Sequence, residues 1–183
     1  QHSATCNCRD TLHQVVQLAS VVAAWQRFRT GNDYVPPRQD LSHGANFLYM
    51  MRGEEPDEFE GRVMVLHINL HAEHGFNAST FAAREVASTK AHMYAAVAAG
   101  VGSLSGDLHG GANVRVMEML KKIGSVENVE SFIDNVLNEG KKIMGLGHAV
   151  YQTDDPRAFI LAPMSKKMGE RVGETKWYDI STK

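Results

Sequence analysis

The stretch "GDLHGGANVRVMEML", Gly106 to Leu120, sets a histidine and two glycines directly ahead of a segment in which apolar and charged residues follow a helical period. Glycines end one turn and the amphipathic helix begins near Asn113, so a turn-and-helix unit is expected here. Outward in both directions the same period recurs, and no run of alternating β-branched residues reaches strand length. The fold class expected is all-α and multihelical.

Leu12 to Arg29 carries apolar residues at three- and four-residue spacing and stops at Gly31. Pro36 and Pro37 then force a loop, and "DLSHGANFLYMM" makes a short helix that ends at Gly53. Asp57 and Glu60 have capping-box spacing, which predicts a long helix running into His71. "NASTFAAREVAST" restarts the helix with Ser79 as its N-cap, and another covers about 92–99. Helices over 114–123, 129–139 and 156–168 complete the expected set.

A hydrophobic share of 43% over 183 residues is enough for one sizeable core or for the middle of a larger domain. The formal charge of −2 gives no basic footprint for nucleic acid or an acidic membrane surface. Apolar runs such as 15–25 are interrupted by Gln17 and Ser20 and fall short of a membrane span. Cys6 and Cys8 form "CNC", too close for a useful structural bridge, so reduced thiols and a cytoplasmic setting are expected. The chain opens on Gln1 and stops at "WYDISTK", and is expected to be a piece of something longer.

Three places carry chemistry. In "HINLHAEHGFNAST", His67, His71 and His74 are spaced by four and three, on one helical face. The spacing suits zinc, yet HExxH is absent and no cysteine or acidic cluster completes a shell, so no metal is expected. His74 differs from the other two because the Gly75-Phe76-Asn77 turn after it lets a ring face a pocket.

In the second place, Gly110 and Gly111 leave room for a ligand and a helix starts just beyond them. His109 would then lie at the positive end of a helix dipole, which opposes protonation. A neutral ring can donate to an oxygen that becomes negative during reaction. The plainer alternative is a histidine that caps a tight turn between helices.

The third place is "KKIMGLGHAVYQTDDPRA". Gly145 and Gly147 bracket an approach to His148, where backbone could lie along a long ligand while the imidazole reaches a carbonyl. The spacing is neither a dinucleotide fingerprint nor a P-loop. Arg157 is the carboxylate clamp by its two-pronged guanidinium, or else a solvent-facing arginine of a first helical turn.

"LHAEHGFNASTFAAREVAST", "GDLHGGAN" and "IMGLGHAVYQTDDPRA" together resemble, in order, the three active-site segments of the citrate synthase family. "VPPRQDLSHGANFLYMMRGEEPDE" resembles the bacterial and archaeal branch, which includes 2-methylcitrate synthases. The resemblance runs from about Val21 to Lys183. It implies residues 15–70 as part of the large domain and 71–183 as the small domain with the active-site segments. Residues 1–14 match poorly, and the C-terminal part of the large domain is absent.

The resemblance further implies condensation of acetyl-CoA with oxaloacetate to citrate and CoA, with propionyl-CoA as the alternative acyl donor. By motif, His109 would donate to the thioester carbonyl and stabilise the enol, and His148 would polarise the oxaloacetate carbonyl. His74, Asn77 and Arg157 would bind oxaloacetate. Ser79 would orient His109, and the backbone of Met144, Gly145 and Leu146 would lie along CoA. No metal or redox cofactor is implied, and the assembly would be a homodimer or a multiple of dimers. The family's proton-abstracting aspartate lies in a later segment, so the chain alone is expected to be inactive. An inactive structural remnant is the remaining alternative. Truncation is also expected to expose apolar faces and to promote self-association.

Overall fold

The computed structural model describes residues 4–73, 75–147 and 152–183, with side chains from residue 9 onward. Among these residues the regular structure is helical: α1 Ala4–Arg29, α2 His43–Arg52, α3 Glu58–His71, α4 Ala78–Ser88, α5 Met93–Leu104, α6 Ala112–Ile123, α7 Val129–Asn138, α8 Pro156–Val172 and α9 Lys176–Thr182. A 3-10 turn at Val126–Asn128 leads into α7. None of the described helices is long and apolar enough to cross a membrane. The chain divides into two compact units, one of Gln1–Asn77 with Ala83–Val97 and one of Ala78–Ala82 with Ala98–Lys183.

In the first unit α2 packs on both α1 and α3. Gly44 of α2 and Gly61 of α3 are buried where the two helices cross, and a Cβ on Gly44 would lie 2.7 Å from Val65. Ser42 caps α2, and Gly53 closes it in the left-handed conformation with its N–H bonded to Tyr49 O. The Asp57–Glu60 capping box forms in full: the Glu60 N–H donates to Asp57 and the Asp57 N–H donates to Glu60. Arg52 adds an ion pair to Glu60 at 2.6 Å, and this hydrogen bond, followed by that from Asp57 N–H, holds the Glu60 carboxyl below its usual range. Before α2, Asn46 secures the Arg38 backbone at both its N–H (3.0 Å) and its carbonyl (2.6 Å).

The second unit is built on Leu120, Ile123, Val129 and Ile180, with Val116, Met119, Phe132, Ile133 and Trp177 packed around them. Thus α9 closes the core formed by α6 and α7. Lys183 is tied back to Glu130 at 2.8 Å.

Several boundaries differ from the sequence expectation. α1 begins at Ala4 rather than Leu12, because residues 4–11 contain neither glycine nor proline to stop it. α4 begins at Ala78, so Ser79 lies within the first turn instead of capping it. α5 and α8 run past their expected ends, α8 to Gly173, whose left-handed conformation terminates it. α9 follows a threonine with no distinctive stop or start, and its single buried residue, Ile180, is too little for a periodicity signal.

Candidate active site

His109 and Ser79, thirty residues apart in sequence, meet in the second unit. The Ser79 backbone N–H donates to His109 Nε2 at 3.2 Å, and the Ser79 hydroxyl lies 2.9 Å from the same nitrogen. An Nε2 that receives a backbone N–H carries the ring's lone pair, so the proton of the neutral ring resides on Nδ1. Ser79 is in the first turn of α4, where N–H groups have no partner within the helix. The ring nitrogen therefore faces the positive end of α4, which favours a lone pair over an N–H there. Sequence reasoning had used the start of α6 for this purpose. In the structure α6 begins at Ala112, three residues past His109, behind an N-cap, Gly111, that makes no side-chain capping bond.

The turn that presents His109 is closed by backbone bonds, with His109 N–H to Gly106 O at 2.9 Å and Gly110 N–H to Gly106 O at 3.1 Å. Gly110 is required there for space: a Cβ would lie 1.9 Å from the carbonyl oxygen of Leu104. Leu108, beside the histidine, is fully exposed. Asp107 pairs with Arg115 at 3.1 Å across the start of α6.

Arg157 is held by its own helix start. Asp155 caps α8, accepting the Arg157 backbone N–H at 2.9 Å, and its carboxylate also receives Nε at 3.0 Å and Nη2 at 2.5 Å of the guanidinium. Both side chains are about one-quarter to one-third exposed, at 25% and 30%. The sequence reading missed Asp155 as the partner, although an aspartate ahead of Pro156 at the first helical position is a recognisable helix start. A ligand carboxylate at Arg157 would share the guanidinium with Asp155.

Met144, Gly145 and Leu146 form a tight turn in the second unit, closed by Leu146 N–H to Ile143 O at 3.4 Å. Gly145 has φ +90° and a Cβ there would lie 3.1 Å from Val116, so the turn is pressed against α6. Leu146 is 71% exposed. Asn77 closes the first unit's main stretch, immediately ahead of α4. His74 and His148, the remaining site expectations, lie outside the described residues.

His67 and His71 are neighbours on α3, with rings 4.3 Å apart and His71 Nδ1 bonded to His67 O at 2.7 Å. Partial desolvation of the His67 ring, followed by the proximity of His71, holds His67 below its ordinary range. Among the described residues no three histidine, cysteine or acidic side chains converge on a common point for a metal.

Against known proteins, the family model "Citrate synthase, C-terminal domain" matches residues 1–183. A citrate synthase of Haloferax volcanii is 46% identical, the match covering 90% of this chain and 44% of the relative. A 2-methylcitrate synthase of Mycobacterium tuberculosis is 39% identical, covering 98% of this chain and 46% of the relative. The crystal structure of a Thermoplasma acidophilum citrate synthase, a ternary complex with carboxymethyl coenzyme A and oxaloacetate, superposes with a TM-score of 0.90 at 27% identity. That match covers all of this chain and 48% of that one. The chain thus spans somewhat under half the length of the relatives it matches.

Proposed function

The chain belongs to the citrate synthase family, and from that premise we propose that it supplies the electrophilic half of an active site condensing an acyl-CoA with oxaloacetate. The observation that carries the proposal is the Ser79–His109 contact, which leaves Nδ1–H as the ring's donor.

In this reading the Nδ1–H of His109 donates to the thioester carbonyl oxygen of acetyl-CoA. A carboxylate base removes a proton from the methyl carbon, and the charge that develops on the thioester oxygen is stabilised by the donor already in place. The enol carbon then bonds to the keto carbon of oxaloacetate, whose carbonyl oxygen takes up the electron pair against His148 and is protonated. Water cleaves the thioester to release citrate and CoA. His74, Asn77 and Arg157 bind oxaloacetate, Arg157 by sharing its guanidinium between Asp155 and a substrate carboxylate. The Met144–Leu146 turn lies along CoA, and Ser79 fixes the His109 ring. No metal or redox cofactor enters these steps.

The base belongs to a part of the protein outside this chain, so the chain alone does not turn over. Removing a positioned base costs about 10²–10⁴-fold. The complete protein is a homodimer or a multiple of dimers, in keeping with the apolar residues that α1 leaves exposed, Trp25 at 67% among them.

Oxaloacetate-dependent release of free CoA from acetyl-CoA and from propionyl-CoA, measured on the complete protein and on the 183-residue chain, tests the reading. Release by the complete protein and none by the chain is expected, and the better thioester identifies the acyl donor. Complete protein that releases CoA from neither thioester would overturn the proposal.

A further inference from the structure

His67 and His71 are exposed residues one turn apart on α3, and the condensation chemistry above gives neither of them a role. Side chains four apart on a helix lie over the same patch of surface. Here the two ring centres are 4.3 Å apart and the rings are tilted by 37°. That tilt departs from both the flat offset stack and the edge-to-face arrangement that two aromatic rings adopt for their own sake.

The hydrogen bond within the pair decides what it can bind. His71 Nδ1 lies 2.7 Å from the carbonyl oxygen of His67. A carbonyl only accepts, so Nδ1 carries the hydrogen, and Nε2 of the neutral ring is left with a lone pair. Histidines that ligate metals are oriented in this way, by giving the other ring N–H to a backbone carbonyl or a carboxylate. The surroundings of His67 disfavour its charged form, first by desolvation and then through His71, so its ring also offers a lone pair near neutrality.

An imidazole nitrogen binds a metal at about 2.0–2.1 Å, which places the ring centre roughly 3.2 Å from the ion, and two such rings at a right angle have centres about 4.5 Å apart. The observed 4.3 Å is close to that spacing. Imidazole suits nickel, copper and zinc, whereas magnesium and calcium take oxygen ligands. Among the described residues no third histidine, cysteine or acidic side chain joins the pair, so the site is an open one and not a closed structural one. We propose that His67 and His71 form a two-histidine site for a divalent transition-metal ion, bound through His71 Nε2 and a ring nitrogen of His67, with water in the remaining positions. The proposal does not depend on the condensation reading, and each can fail without the other.

Nickel ion is the probe, titrated calorimetrically at about pH 7.5, where free imidazole is neutral. The chain carries Cys6→Ser and Cys8→Ser, which removes two thiols that compete for the metal. His67→Gln and His71→Gln should each weaken nickel binding by about tenfold or more, because a single imidazole then replaces a chelating pair. His13→Gln removes a histidine of α1 outside the pair and should leave the affinity within about twofold. A second measurement needs no change at the site: nickel added below one equivalent should broaden the ring signals of His67 and His71 in proton spectra ahead of those of His13 and His92. This carries the test should either α3 variant lose helicity. No nickel binding at millimolar concentration, an equal loss in His13→Gln, or equal broadening of all four histidines overturns the proposal.

Discussion

Ser79 presents two donors to one acceptor: its backbone N–H lies 3.2 Å and its hydroxyl 2.9 Å from Nε2 of His109. This pairing fixes both the ring's orientation and its tautomer, since a hydrogen on Nε2 would point at another N–H. Long-range nitrogen–proton correlation spectra of the chain should therefore show His109 as the Nδ1–H tautomer. In Ser79→Ala the backbone donor survives, so the tautomer should persist while the ring loses order. In the complete protein that variant should slow turnover by about tenfold, the worth of one well-placed hydrogen bond. An Nε2–H tautomer in the unaltered chain would refute this account of the site.

Gly110 cannot accept a side chain without movement of the turn, because a Cβ would lie 1.9 Å from Leu104 O. Gly110→Ala should destabilise the second unit by about 1–3 kcal/mol and displace His109. Thermal unfolding followed by helical circular dichroism checks this. Gly102→Ala is the comparison, since a Cβ there has nothing within 4 Å, and it should be nearly neutral or slightly stabilising. A similar melting temperature for the two variants would show that the turn yields without cost.

Two groups contribute to the acid limb of stability in the first unit. His67 is held below its ordinary value, first by desolvation and then by His71, so the folded state prefers the neutral ring. Its contribution is present above the unfolded-state value and is lost as pH falls through the lower folded value, beginning below about pH 6.5. Glu60 is lowered chiefly by its bond to Arg52, and its contribution is lost only further down, in the carboxylate range and below. His67→Gln should flatten the first part of the stability–pH curve and leave the second. Glu60→Gln should do the reverse, and should leave the capping box in place, since a glutamine side-chain oxygen still accepts the Asp57 N–H. Denaturant titrations at successive pH values give both curves.

The capping box at Asp57 and Glu60 and the glycine stop at Gly53 were legible in sequence because each is a local arrangement within four residues. The start of α1 was not, since only a breaker announces a helix end and residues 4–11 contain none. The segments bearing the candidate site were legible as glycine-rich turns beside histidines. What joined two of them, an α4 backbone N–H reaching a ring thirty residues on, depends on packing between α4 and the turn before α6. Asp155 shows the opposite case. Its bond to Arg157 is local, yet a charged pair two residues apart reads equally well as two separate surface groups until the helix start is placed.

α1 exposes Val15, Val21, Val22 and Trp25, at 51–67% of their surface. Apolar surface in such quantity favours association. The chain should elute from a sizing column as a concentration-dependent oligomer, and Val21→Lys with Trp25→Lys should shift it toward monomer. A monomeric peak for the unaltered chain at all concentrations would show that this face needs no cover.

In the proposed reaction His109 donates from Nδ1 to the thioester oxygen. The most direct measurement is oxaloacetate-dependent CoA release by the complete protein and by its His109→Ala variant, with substrate binding followed in parallel. Removal of one such donor should lower turnover by about 10²–10³-fold with little change in oxaloacetate binding. Turnover retained within a few-fold in the variant would contradict the account.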